Sequence, residues 1–556
     1  MLGICLGLAL ASCESLFGPV TENIYDDGRI VRDAAFAEGI VLQAYTGLPT
    51  TYGFEETATD DAVSNQVGNN LSRMATGEWS SQFNPLKNWE TAYQQLYYLN
   101  FLLHVADEVE WSWESEVRNT LFKNRFTGEA HGLRAWYNFE LLKRHGGVSE
   151  SGEALGFVII TPEQVANPGD ESLLHLPRSP YDECVKFILD DIAEASRLLP
   201  DEYANTGDSE YDQVFGVQNK NRFSGKAAKA LKARVLLHAA SQSFYTVAGK
   251  WEAAADAAAD LIKSRGGVAG LSPTGGQWYL NFNDPDIIWR RDYVSNNSLE
   301  AANFPPSLYG NGSTNPSQNL VDAFPMANGY PITNPQSGYQ AGDPYRNRDP
   351  RLKASILYDG NEIGGKIVQT DTGDPKNGIN ATPTSTRTGY YLKKLLRGDV
   401  NLTPGKVTTQ PHFYTFFRHT EMFLIYAEAA NEAWGPEADP KGHGFTPAGA
   451  IAAIRERGGI TQPDLFLASV AVSKESMRGL IRNERRIELC FEGFRFWDIR
   501  RWNLPMNETA AGMSITGAEF SIVDVEDRVY QPHMKFGPIP YDEILKAPQI
   551  LQNAGW

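Results

Sequence analysis

The run Asn483–Trp502, NERRIELCFEGFRFWDIRRW, sets nine charged side chains among five aromatic ones in twenty residues. Counted from Ser473, a candidate N-cap, Met477, Leu480, Ile481, Glu484, Glu488 and Phe491 recur at spacings of three, four and seven and so share one helical face. Two carboxylates therefore fall on an apolar stripe. Burying them alone is very costly, so any fold that holds this helix must bring each an arginine or several backbone N–H groups. Arg485, Arg486, Arg495 and Arg500 are the nearest suppliers, and Gly493 is a candidate C-cap after which the chain doubles back. General acid catalysis needs one carboxyl kept protonated beside an open cleft. Arginines outnumber acids in this run, which holds carboxylates ionised and points to a structural network.

Helical periodicity dominates both ends of the chain. It predicts helices over Leu86–Val105, Thr127–Arg144, Tyr181–Leu199, Ser224–Ser243, Trp251–Ser264, His412–Ala433, Pro447–Glu456 and Ser473–Phe491. KAAKALKARVLLHAAS keeps Lys226, Lys229 and Lys232 along one side and alanines on the other, where a neighbouring helix can approach closely. Such pairs predict a mostly α fold, a tetratricopeptide-like stack of helical pairs. Between residues 265 and 410 the texture turns to Gly, Pro, Asn, Asp and Tyr, with strand-like runs such as Lys353–Tyr358. Irregular segments of this length inside a compact protein usually carry function. The expected organisation is a leader at 1–13, a helical region at 14–264, a loop-rich insertion at 265–410 and a second helical region at 411–556. Asp371, Asp374, Asn377 and Asn380 offer oxygen ligands, but not at the spacing of an EF-hand loop, and they read as a solvated turn. No metal site is expected.

The 556 residues carry a formal charge of −18 with no compensating basic stretch, which argues against a nucleic-acid partner. MLGICLGLALASC is apolar, too short to span a bilayer and followed at once by polar chain, as in a secretory leader. It ends in Leu10-Ala11-Ser12-Cys13, which resembles a bacterial lipobox with Cys13 as the lipidated residue. More than one acyl chain on that cysteine, at roughly 0.8 kcal/mol per buried CH₂, anchors a protein stably without a transmembrane helix. Cys184 and Cys490 remain, each among apolar neighbours, and read as buried thiols rather than a disulfide.

ERRIELCFEGFRFWDIRRW resembles the C-terminal signature of the SusD/RagB family, nutrient-binding lipoproteins of the Gram-negative outer membrane. GEAHGLRAWYNFELLKRHGGV, RFSGKAAKALKARVLLHAA, PSQNLVDAFPMANG, YRNRDPRL, FRHTEMFLIYAEAANEA and PIPYDEILKAPQILQNAGW are similar to further family blocks in the same order. The resemblance implies a tetratricopeptide-like scaffold, lipid-anchored and surface exposed. It also implies a SusC-like TonB-dependent transporter as partner, to which a bound glycan, or a peptide in RagB-like members, is delivered. It implies no cofactor and no catalytic residue.

Sugars offer flat C–H faces and a fringe of hydroxyls, so exposed Trp and Tyr with nearby amide, carboxylate and guanidinium groups are candidate contacts. The turn-rich block around residues 60–83 supplies Asp61, Asn69, Arg73 and Trp79, and the insertion supplies Trp278, Tyr309 and Tyr339. Trp136, Trp289, Trp497 and Trp502 read as core. A glycan-binding lipoprotein is the leading reading. A peptide binder would show a groove with fewer aromatics and more backbone-directed polar groups. A surface glycoside hydrolase would show two carboxylates about 5 Å or about 6.5–9.5 Å apart in an open cleft. A purely structural surface protein would bind no oligomer at all.

Overall fold

The computed structural model describes residues 31–166, 175–241, 243 and 249–556; Cys13 and its leader lie outside them. The principal helices in chain order are α1 (Ala34–Thr46), α2 (Trp89–Val105), α3 (Glu116–His145), α4 (Tyr181–Leu198), α5 (Gly225–Ala240), α6 (Lys250–Lys263), α7 (Pro350–Ser355), α8 (His419–Trp434), α9 (Pro447–Arg457), α10 (Lys474–Glu488) and α11 (Arg495–Arg501). From α1 to α6 each packs on the next; α8 then packs on α6 and itself carries α9 and α10. This is the stack of helical pairs that the periodicity predicts.

Local chemistry sets the helix ends. Ser115, Ser224 and Ser473 each accept a backbone N–H three residues on, capping α3, α5 and α10. The alanine faces of α5 and α6 are buried against one another and against their neighbours. On α3, Gly132 is required by packing, since a Cβ there would lie 2.2 Å from the ring of Phe223. That helix starts eleven residues before Thr127, because its first three turns are charged and half-exposed and carry little apolar periodicity. Conversely α8 starts at His419, not His412.

The residues before α8 are taken into antiparallel ribbons. The strands that matter are β1 (Ala62–Ser64), β2 (Ile287–Arg290), β3 (Val294–Asn296), β4 (Thr314–Pro316), β5 (Ile356–Leu357), β6 (Tyr391–Leu392), β7 (Gln410–His412), β8 (Thr415–Arg418), β9 (Ala510–Thr516) and β10 (Glu519–Glu526). They pair two by two: β1 with β4, β2 with β8, β3 with β7, β5 with β6 and β9 with β10. Lys353–Tyr358 is not one strand: its first half completes α7, which Asp349 caps, and only Ile356–Leu357 is extended.

Two cores result. One fills the helical stack; the other lies beneath the insertion around Trp278, Leu320, Phe324, Tyr390 and Tyr391. Helix α10 joins them, giving Met477, Leu480 and Ile481 to the first and Ile487 to the second. Cys184 and Cys490 are free, buried thiols, one in each core.

Both stripe carboxylates of α10 are buried and paired, but their arginines come from other elements. Glu484 meets Arg351 of α7 and Arg455 of α9, the latter at 3.3 Å. Glu488 accepts from Arg457 at 2.6 Å and from Arg351 at 3.1 Å. Burial alone would raise the Glu488 carboxyl; Arg457, Arg351 and Arg418 more than offset it and hold the group at about 2. The expected local suppliers turn elsewhere: Arg485 to Asp498 at 2.8 Å, Arg486 and Arg495 to Asp60, and Arg500 to the carbonyl of Met534. Sequence proximity misled here because a helix presents i and i+1 to different sides. Nor does Gly493 cap α10. The helix ends at Glu488, and Gly493 closes the following turn at φ 81°, its N–H donated to Glu56 at 2.8 Å.

Candidate functional site

The pairing of β1 with β4, in the register Ser64 opposite Thr314, carries the loop after β1 alongside the loop before β4. Asn65 donates its backbone N–H to Ser313 at 3.3 Å and its amide to the Asn311 carbonyl at 2.8 Å, while the Gln66 amide reaches Ser313 Oγ at 3.3 Å. From below, Arg387 donates to the Ser64 carbonyl at 3.0 Å. Two segments some 240 residues apart thus form one fixed surface.

Val67, on the loop after β1, is 59% exposed, and Tyr309, two residues before Asn311, is 57% exposed. Its backbone is left-handed at φ 66°. A bulky residue rarely adopts that conformation, and surrounding structure must impose it. The turn Pro306–Leu308 and the acceptance of the Ser307 N–H by Asn377 at 2.9 Å do so. The result is an exposed aromatic residue on a braced turn, two residues before Asn311, whose carbonyl the Asn65 amide holds.

Next to this surface, and sharing Ser313 with it, opens a cleft of about 920 Å³. The end of α1 and the strap Thr50–Phe54 form one wall, and Ser298–Asn303 with β3 the other; Trp289 and Phe416 line it as well, stacked on each other at 3.9 Å. Arg291 fastens the first wall by donating to the carbonyls of Tyr45 and Leu48. Within it Asn303 Oδ1 is buried without a partner among the described residues, and His412 Nε2 faces Glu300 at 3.1 Å. Aromatic stacking surface plus a few fixed polar groups is the usual make-up of a small-molecule or oligomer site.

The other expected contacts divide. Asn69 lies on the same loop as Val67, but its Oδ1 caps the short helix Asn70–Arg73 by accepting from Ser72 at 2.9 Å. Arg73 is half-exposed, paired with Glu78 at 2.6 Å and laid over the ring of Phe83. Tyr339 is half-buried under Arg348, on another loop, with its N–H donated to Ser337. Three residues do not present themselves to solvent at all. Trp79 is 4% exposed and packs edge-on against Phe496, Tyr530 and Trp556: its polar neighbourhood in sequence hides an apolar one in space. Trp278 is fully buried in the second core, between Tyr52, Tyr279 and Phe413. Asp61 is fully buried and paired with Arg486 at 2.7 Å, part of the clamp between the early loop and α10.

Sequence reasoning missed Tyr293, 46% exposed between the cleft residues Asp292 and Val294, and Phe54 on the strap. The same signal that marks Tyr309, an aromatic among turn formers, is present at Tyr293 in RRDYVSNN. Asp371, Asp374 and Asn377 spend oxygens on backbone N–H groups of their own turns or of Ser307. Among the described residues no cluster of His, Cys, Asp or Glu is arranged to hold a metal ion, and no helix is long and apolar enough to cross a membrane.

The model of the SusD family matches residues 285–556, and a second model, described as starch-binding associating with outer membrane, matches residues 34–237. The chain belongs to the SusD/RagB family. A SusD-like protein of Formosa agariphila is 23% identical over 530 residues, 90% of each chain. A SusD-like protein from Bacteroides fragilis has a similar structure at 26% identity, with a TM-score of 0.74 over 96% of this chain and 99% of that one. A laminarin-binding SusD-like protein superposes with a TM-score of 0.59 at 20% identity, over 94% of this chain and 99% of the other. In this SusD/RagB protein the signature run of α10 and α11 is structural, and the surface at Tyr309 lies outside it.

Proposed function

We propose that this protein binds a polysaccharide or oligosaccharide at the face formed by Tyr309, Val67, Gln66 and Asn311 together with the adjoining cleft. It does so as a lipid-anchored protein on the cell surface, with Cys13 as the lipidated residue, and delivers its ligand to a SusC-like TonB-dependent transporter without chemical change. Family membership and the description of the model matching its first half support carbohydrate as the ligand and the outer membrane as the place. The observation that carries the site is Tyr309: an exposed ring held in a strained turn, two residues from the loop segment that pairs with Asn65, offers a stacking face. The buried, arginine-paired state of Glu484 and Glu488 supports a binding role over hydrolysis.

Protein lacking residues 1–13 is screened by calorimetry against a polysaccharide panel that includes laminarin and starch. The expected result is binding to one glycan class, weakened at least tenfold in Tyr309→Ala with an unchanged melting temperature. No binding to any glycan, or full binding by Tyr309→Ala, overturns the reading; binding to peptides instead moves it to the RagB-like alternative. Release of reducing ends from any of these glycans would make the protein an enzyme.

A further inference from the structure

A second cavity, of about 280 Å³, shares Asn221, Trp289 and Arg290 with the large cleft and runs from them to the start of α8. Its walls come from three separate segments, 201–226, 265–290 and His419. Among the described residues, two buried polar side chains there leave atoms without a hydrogen-bond partner. His419 is 2% exposed with neither ring nitrogen hydrogen-bonded, and Asp284 is 3% exposed with Oδ2 unpaired. Polar atoms left bare at such depth are rare in folded proteins and call for a ligand or water.

Charge narrows the ligand. Lys226 is neutralised by Glu202, and Asp201 by Lys229. Among the described residues, three further cations have no carboxylate within ion-pair distance: the Lys220 ammonium donates to the Asn283 amide oxygen, Arg265 to the Pro285 carbonyl, and Arg290 to the carbonyls of Phe282 and Arg291. In a chain of net charge −18 this is a local excess of positive charge around a polar cavity. Asp284 Oδ2, by contrast, accepts only from a donor such as a hydroxyl, and the uncharged imidazole of His419 can both donate and accept.

We infer that this cavity is a subsite for a hydroxylated carboxylate the size of one sugar, a uronic acid residue, its carboxylate turned to Lys220 and Arg265 and its hydroxyls to Asp284 and His419. The inference deepens the proposed glycan reading and rests on it for the sugar character of the ligand. Through the shared residues an acidic unit seated here is continuous with a chain lying in the cleft.

Sodium glucuronate, glucose and a glucuronate-terminated oligosaccharide are titrated into the protein by ligand-observed NMR and calorimetry, with Lys220→Gln/Arg265→Gln and Tyr309→Ala as variants. Lys220 is exposed and Arg265 half-exposed, so the double variant is expected to fold, as its melting temperature verifies. The expected result is glucuronate binding at least tenfold tighter than glucose, lost in the double variant and kept in Tyr309→Ala. Binding of the oligosaccharide and not of free glucuronate keeps the subsite and makes it one for chain ends. Binding of glucose as strong as glucuronate, glucuronate binding that survives the double variant, or no binding of either acid overturns the inference. Because the polysaccharide screen reads Tyr309 and this titration reads Lys220 and Arg265, a failure here leaves that result standing.

Discussion

Single residues show how a polar sequence context can mislead. Trp79 sits among Thr, Gly, Glu and Ser, yet follows a left-handed Gly77 at φ 114° and ends in a cluster of aromatic rings with Arg500 above it. Trp79→Ala is expected to cost about 3–5 kcal/mol of stability through the cavity it leaves, without the selective loss of glycan affinity expected at Tyr309. Urea denaturation beside calorimetry separates the two effects. The exposure of Tyr309 was legible from the turn formers around it in the chain; the burial of Trp278 was not, since Tyr52 and Phe413 reach it from more than a hundred residues away. Glu56 makes a different point. Its Oε1 accepts the Gly493 N–H while Oε2 is buried without a partner among the described residues, and burial, with Glu55 nearby, pushes the carboxyl up to about 8. A carboxyl raised in the fold stabilises fully below its unfolded value, 4.5, and loses that contribution as pH rises toward 8. Glu56→Gln is therefore expected to melt like the parent at pH 4 and several degrees higher at pH 8; equal melting at both would show Glu56 ionised in the fold.

At the scale of elements, α10 illustrates what periodicity can and cannot foretell. The stripe, its N-cap and the burial of two carboxylates were all legible, because each depends on residues within a few turns. Their partners were not, since Arg351, Arg455 and Arg457 arrive on α7 and α9. Arg351 bridges Glu484, Glu488 and its own cap Asp349. Arg351→Met leaves two buried carboxylates short of a cation, and the expected loss is about 3–5 kcal/mol, measured by urea denaturation. A loss below about 1 kcal/mol would mean that Arg455 and Arg457 suffice. The strands were the least legible elements: β1, β4, β5 and β6 are two or three residues long and exist only through pairing with distant chain.

The whole molecule adds these groups into one pH profile. His145 and His419 are buried and held down to about 3, mainly by burial, so folding keeps them uncharged. Their contribution is complete above the unfolded value, 6.5, and is lost as pH falls toward 3. Glu140 and Glu488, both held at about 2 by their cations, add a second loss as pH falls below 4.5. Glu56 opposes from the alkaline side. Stability is thus expected to peak at about pH 6.5–7 and to fall more steeply toward acid, as melting temperatures across pH 3–9 would show. A flat profile down to pH 4 would contradict the burial of the two histidines.

The clamp centred on Arg351 also bears on how such proteins diversify. The loops of the insertion hang from a short helix whose arginine is keyed into α10, so their tips can be rewritten while the key is kept. A graft that moves residues 265–410 between relatives carries Asp349 and Arg351 with it and should hold, whereas the same graft bearing Arg351→Met should fail. The scaffold works as a socket, and ligand preference becomes a replaceable fitting.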